Sequence, residues 1–363
     1  MSVTTQATTS LYLYGASGML AGELARLLEQ HPGFRLEGTV SRRENELADV
    51  HPHLRGGGAF AGTTISADDA SQAIREAVDE TPVAVAFALP HGESAAAWAR
   101  LRKELGARAA DVHVIDLAAD FRLRDLERYR AAYGREHPDP KELASFVYGL
   151  PELGRDELQG AKRVAAPGCF ATALQLATVP AASAGLLDSI RPWILNGVTG
   201  SSGSGVEPKP GTHHPHRNGN LWAYALGGHR HEAELEQALE AVGVQAPLHF
   251  LPHSGPFARG IHLTASLPLV QACTEADARS VYTEAYEGEG FVDVLHAGVP
   301  DLRTVAGSNR VSIGVSVRGD VLTVLLTLDN MIKGGAGQAL QCLNLMLGFP
   351  ESSGLPRAGL GVI

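Results

Sequence analysis

The sequence predicts an α/β protein in two parts, a doubly wound parallel sheet followed by an α+β domain. Three observations carry that reading. A strand, a glycine turn, a helix and a second strand follow one another over residues 11–40. Apolar runs at 83–89 and 112–117 bracket a helix-like segment, 93–105. Beyond about Pro167, strand-like runs succeed one another without helices between them.

At 363 residues the chain is longer than one ordinary core, so two domains are expected. The expected partition is 1–165 with 330–363, and 166–329. Hydrophobic residues make up 44% and charged residues 19%, an ordinary globular balance. A net charge of −10 disfavours a nucleic-acid partner, which needs a basic face. No apolar run approaches the roughly 20 residues of a membrane helix. The three cysteines, Cys169, Cys273 and Cys342, are too few for a disulfide framework and point to a reducing compartment. Residues 1–10 lack the basic-then-apolar pattern of a signal peptide, so the expected location is cytoplasmic.

In chain order, residues 11–14 form a short apolar strand. Leu20, Leu24, Leu27 and Leu28 then recur at the helical period. Residues 34–40 alternate as a second strand, which completes a βαβ unit. The runs at 83–89 and 112–117 suit buried parallel strands. In the second part, strands are expected at 194–198, 248–251, 261–267, 311–317 and 321–328, and a helix at 333–347. Residues 199–220, rich in Gly, Ser, Pro and His, exceed the usual connection length and are expected to be functional or mobile.

Gly15, Gly18 and Gly22 form a GxxGxxxG turn rather than GxGxxG. The physics is shared: a tight turn lets backbone approach a pyrophosphate, and a helix N-terminus faces it. Ser17 and Met19 belong to the same turn. The second strand runs into Ser41, Arg42 and Arg43, where an NAD site would carry an acidic residue. A hydroxyl and guanidinium groups suit a 2′-phosphate, which favours NADP and a Rossmann-type domain.

Cys169 follows Pro167 and Gly168 and precedes a helix-like run. A helix N-terminus stabilises a thiolate, so Cys169 reads either as a nucleophile or as a small buried hydrophobe. His229 and His231 lie about 60 residues later, behind Gly227 and Gly228. They suit a general acid/base beside a thiol. His213, His214, His216 and His253 complete the clustering. Zinc would need three or four convergent ligands, and only HxH and HHxH groupings are visible, so no metal is expected.

Six segments in order are Gly15–Gly18, Ser41–Arg43, Ala119–Leu123, Ala166–Cys169, His229–His231 and Asp329–Gly337. With them, essentially the whole chain resembles the N-acetyl-γ-glutamyl-phosphate reductases. The resemblance implies an NADP-binding domain and a catalytic and dimerisation domain of the semialdehyde dehydrogenase type. It implies NADPH-dependent reduction of a small acyl phosphate to a semialdehyde in arginine biosynthesis. It makes Cys169 the nucleophile and His231 the acid/base, with His229 as the alternate. Arg122 and Glu234 would hold substrate or order the site. Asn330, Ser202, Gly203 and His91 would line the cofactor. A homodimer or homotetramer is expected.

Two segments depart from the family pattern. The loop 197–206 places Val206 where an arginine is usual, and Phe170 and Ala171 replace a tyrosine and a proline after the cysteine. Those changes bear on acyl-group preference, acetyl or succinyl. A lysine-pathway branch that reduces a substrate carried on an acidic carrier protein shares the same chemistry, with Lys209 and Arg217 as its candidate basic rim. A non-catalytic NADP sensor and a cysteine hydrolase are the readings from other classes.

Overall fold

The computed structural model describes residues 8–41, 46–56 and 64–361. The chain divides into two compact units. The first comprises residues 1–126, 135–167 and 336–355, and the second 127–134, 168–335 and 356–363.

The first unit holds a seven-stranded sheet. Its strands are β1 (Thr9–Tyr14), β2 (Phe34–Val40), β3 (Thr64–Ile65), β4 (Val83–Phe87), β5 (His113–Asp116), β6 (Val147–Tyr148) and β7 (Arg163–Ala165). Their spatial order is β3-β2-β1-β4-β5-β7-β6, and every pairing is parallel. The order reverses direction between β1 and β4, the place where doubly wound sheets bind ligands. All of β4, Val-Ala-Val-Ala-Phe, is buried, as a central parallel strand covered on both faces must be. Helix Met19–Leu28 buries Leu24, Leu27 and Leu28 of the periodic set read from the sequence, together with Ala21 and Ala25, and leaves Leu20 half-buried. Helix Ser94–Leu105 buries Trp98 and Leu101 in a cluster with Val83, Val85 and Phe87 of β4.

The second unit holds a mixed sheet of β8 (Trp193–Thr199), β9 (Trp222–Ala223), β10 (Leu248–Ser254), β11 (Ile261–Pro268), β12 (Val292–Val294), β13 (Val311–Arg318) and β14 (Val321–Leu328). The order is β12-β13-β14-β11-β8-β10-β9. β8 and β10 run parallel, and β8, β11, β14 and β13 are successively antiparallel. Alternation is clean: Leu195, Leu263, Ala265, Leu326 and Ile313 are buried. Ile194, Val198, Leu251, His262 and Leu325 on the other face are half-buried.

One helix organises this unit. Cys169–Ser183 is buried from Phe170 to Ala182, apolar on all sides, and packs on β11 and β14. Pro180 has no N–H to give the Leu176 carbonyl, one turn back. The Tyr286 hydroxyl donates to that carbonyl at 2.6 Å, and Tyr282 donates to Ala177 O at 2.6 Å. The break in the ladder is thereby satisfied from the helix Glu275–Ala285 and its end.

Two expectations change in detail. The C-terminal helix begins as a π-helical turn, Ile332–Ala336, before Gly337–Leu347. The segment 199–220 is not structureless: it contains 3-10 turns at Ser201–Ser204 and Pro210–Thr212 and a short helix, His214–Arg217. Arg217 ties it down. Its buried guanidinium donates to Ser254 Oγ at 2.7 Å, to Gly255 O, and to Phe257 O at 3.3 Å. It also lies over the Trp222 ring. A guanidinium so used is no part of a basic rim. Lys209 is exposed, with Nζ 3.4 Å from Ser204 O.

Candidate active site

In the first unit the glycine turn leaves β1 at Gly15. Its φ of +84° and its approach to Ala88 O leave no room for a Cβ. Gly15 N–H donates to Val40 O at 3.0 Å, so the turn and the end of β2 at Ser41 are adjacent. Gly18 is the N-cap of helix Met19–Leu28, and no side chain caps the helix. Ser17 and Met19 are exposed and Ser41 is half-buried. An uncapped helix end beside a backbone cradle is the donor set a pyrophosphate needs. His51, absent from the sequence reading, packs on Gly22, and its Nε2 lies 2.7 Å from Ala16 O, which anchors the turn. Arg42 and Arg43, the expected 2′-phosphate ligands, lie outside the described residues. His91 sits in the loop after β4, its carbonyl accepting from Arg135 at 2.9 Å.

Arg122 is 4% exposed. Its Nε donates to Ala166 O at 2.8 Å and its Nη2 to Leu117 O at 3.0 Å. Nearby, Asp120 accepts from Gly92 N–H at 2.6 Å and Ala95 N–H at 3.0 Å. Asp116 is fully buried, and burial, reinforced by the charge of Asp120, pushes its carboxyl up to about 7.

In the second unit Cys169 is the first residue of its helix, with Gly168 as N-cap and no side-chain cap. Cys169 is half-buried, at the end of the helix where backbone N–H groups favour a thiolate. Gly168 N–H donates to Glu234 Oε2 at 3.1 Å, and Glu234 is fully buried. A Cβ on Gly168 would fall on the His231 imidazole, Nε2 nearest. His231 therefore sits directly against the residue before the thiol. It is itself buried, at the N-cap of the helix Glu232–Ala241.

His229 crosses His231 edge to face, with ring centroids 4.6 Å apart, and its Nδ1 accepts the His231 N–H at 3.2 Å. Phe170, Tyr224 and Phe250 surround it. Burial in that cluster, with help from the charge of Arg230, pushes His229 down to about 4, so it is neutral at pH 7. Of the two histidines left open by the sequence, His231 has the closer approach to the Cys169 turn.

Asn330 is buried. Its Oδ1 accepts from Gly260 N–H at 2.6 Å and its Nδ2 donates to Ser202 Oγ at 2.9 Å. The expected cofactor-side residues Asn330, Ser202 and Gly203 are thus assembled in one place, since a Cβ on Gly203 would lie 4.0 Å from Asn330 Nδ2. Asp329 beside them is fully buried. It takes a two-point contact from Arg259 at 3.1 and 3.2 Å and accepts the Gly307, Met331 and Ile332 amides. Gly334 was missed by sequence reasoning, although its motif was noted. A Cβ there would lie 2.7 Å from Cys169 Cβ, so only glycine fits behind the thiol. Among the described residues, no group of three or more His, Cys, Asp or Glu converges as metal ligands. No helix among them is long and apolar enough to cross a membrane.

Comparison with known proteins matches residues 11–161 to the family "Semialdehyde dehydrogenase, NAD binding domain" and residues 169–330 to "Semialdehyde dehydrogenase, dimerisation domain". A Polynucleobacter asymbioticus protein named N-acetyl-γ-glutamyl-phosphate reductase is 40% identical over 95% of this chain and 97% of its own. Proteins of the same name from Azotobacter vinelandii and Pseudomonas aeruginosa are each 39% identical over 96% of this chain and 98% of theirs. Among solved structures, Vibrio cholerae aspartate semialdehyde dehydrogenase II aligns with a TM-score of 0.66 at 15% identity, covering 94% of this chain and 99% of that one. The Francisella tularensis aspartate semialdehyde dehydrogenase aligns at 0.65 and 14%, covering 93% and 100%. At those identities the likeness concerns the fold alone.

Proposed function

The chain belongs to the N-acetyl-γ-glutamyl-phosphate reductases, and from that premise we infer that it reduces N-acetyl-γ-glutamyl phosphate with NADPH, yielding N-acetylglutamate 5-semialdehyde and phosphate in arginine biosynthesis. The observation that carries the chemistry is the thiol of Cys169 at an uncapped helix start, with His231 packed on the residue before it.

His231 takes the thiol proton. The Cys169 thiolate attacks the γ-acyl carbon and phosphate leaves, giving a thioester. NADPH, when bound, supplies the hydride that reduces the acyl carbon. The resulting oxyanion is met by backbone N–H groups at the helix start. Its collapse expels the Cys169 sulfur and frees the aldehyde, and His231 returns the proton to the sulfur. Glu234 holds the Gly168 peptide, and so the helix start, in place through this sequence. For the cofactor, Gly15, Ser17, Gly18 and Met19 would cradle the pyrophosphate, and Ser41 would reach the 2′-phosphate beside Arg42 and Arg43. The family resemblance adds as cofactor contacts His91 in the first unit and, in the second, Ser202, Gly203 and Asn330. The free acetylated substrate is favoured over a carrier-linked one because Arg217 is buried and committed to three acceptors. We also propose a cytoplasmic homo-oligomer joined through the half-buried sheet face of Ile194, Leu251 and Leu325.

The test is the reverse reaction, followed as NADP reduction with phosphate present. Turnover with N-acetylglutamate semialdehyde is expected. Turnover only with the N-succinyl or carrier-linked aminoadipate counterpart would overturn the substrate, and silence with all three would overturn the reductase reading.

A further inference from the structure

We propose that Arg122 is a positioning residue for the nucleophile turn, holding the Ala166 carbonyl so that the chain reaches Gly168 and Cys169 in one conformation, rather than a ligand of the substrate. The proposal rests on the reading of Cys169 as nucleophile. Three facts support it. Arg122 is 4% exposed, whereas a substrate carboxylate needs an accessible guanidinium. Its planar fork spans two backbone carbonyls, Leu117 O beyond β5 and Ala166 O beyond β7, a geometry that one ammonium cannot copy. Ala166 N–H is held as well, donating to Asp116 O at 2.8 Å.

The local sequence explains why this handle matters. Pro167 has no N–H. Between the Ala166 carbonyl, held by Arg122, and the Gly168 N–H, held by Glu234, the chain therefore offers no backbone donor. The chain is thus held on either side of Pro167, at the Ala166 carbonyl and at the Gly168 N–H. Asp116 and Asp120, on the same stretch of chain, are both 0% exposed. Asp120 is meanwhile committed to the Gly92 and Ala95 amides.

The experiment compares wild type with Arg122→Lys and Arg122→Gln. It reads kcat and KM for the semialdehyde and the rate at which iodoacetamide alkylates Cys169 in the free enzyme. The expected result for Arg122→Lys is a kcat at least tenfold lower and a parallel fall in alkylation, with KM within twofold. Simple loosening of the fold would speed alkylation by exposing the sulfur. A tenfold rise in KM with kcat and alkylation unchanged would make Arg122 a substrate ligand and overturn the proposal. So would a folded Arg122→Gln with wild-type kcat and alkylation. If Arg122→Gln does not fold, Arg122→Lys decides alone. Cys169→Ser is run alongside: if it turns over normally, the nucleophile reading fails irrespective of Arg122.

Discussion

Glu234 Oε2 accepts the backbone N–H of Gly168 at 3.1 Å across 66 residues of sequence. This bond links the helix that starts behind His231 to the helix that starts with Cys169. The fully buried carboxylate thereby ties the His231 segment to the Cys169 turn. One consequence follows for Gly168.

Gly168→Ala should disable the enzyme without unfolding it. The new methyl would fall on the His231 ring, and overpacking of this kind costs about 1–3 kcal/mol. A displacement of about 1 Å at reacting groups costs on the order of 100-fold in rate. The expected outcome is a kcat lower by about that factor with a cooperative melt retained. Full activity would show that His231 is not held against this turn.

The two histidines should separate by pH. His229 lies near 4 and is neutral throughout the working range, held down by burial and by Arg230. His231→Asn should lose about 10²–10⁴-fold in kcat and remove one ionisation from the pH profile. His229→Asn should keep that ionisation and lose far less. The reverse pattern in steady-state profiles would exchange the two roles.

Asp116 should make stability fall as pH rises. Its carboxyl ionises near 7 in the fold, against an ordinary value of 3.8. Between those values the unfolded chain has given up this proton and the folded chain has not. The contribution is therefore full below about pH 4, declines to about pH 7, and is constant above. The gap corresponds to about 4 kcal/mol. Asp116→Asn cannot ionise, so its stability relative to wild type should be higher at pH 8 than at pH 5 in urea unfolding. An equal difference at both pH values would contradict this.

The half-buried sheet face should carry the subunit contact. Leu325 on β14 shares a row with Thr264 and Asn196 across three strands. Leu325→Asp would place a charge in the middle of that face. Light scattering should show a smaller assembly than wild type at equal concentration, and an unchanged mass would move the interface elsewhere.

The parts of the fold legible in the sequence are those with a long enough period. The helix after Gly18 announced itself through Leu20, Leu24, Leu27 and Leu28, and β8, β10, β11, β13 and β14 are each seven or eight residues long. β3, β6 and β9 have two residues each and β12 has three, too few for any alternation to register. The site was legible as residue types. Cys169, His229 and His231 could be named, but two histidines on either side of Arg230 have equal claims until the fold places one against Gly168. Gly334 and His51 were invisible for a related reason. Their importance is a contact with residues far away in the chain, and a glycine in a glycine-rich motif carries no sign of which one meets the thiol. Arg122 was legible as either holding substrate or ordering the site, and its buried bonds to Leu117 O and Ala166 O favour the second of these.

The most direct test of the account is mass analysis of enzyme quenched after mixing with N-acetyl-γ-glutamyl phosphate in the absence of NADPH. The account predicts an N-acetylglutamyl adduct on the peptide carrying Cys169, lost on adding NADPH with release of one equivalent of semialdehyde, and absent from Cys169→Ser. An enzyme that turns over with Cys169→Ser, or whose adduct sits on another residue, would contradict it.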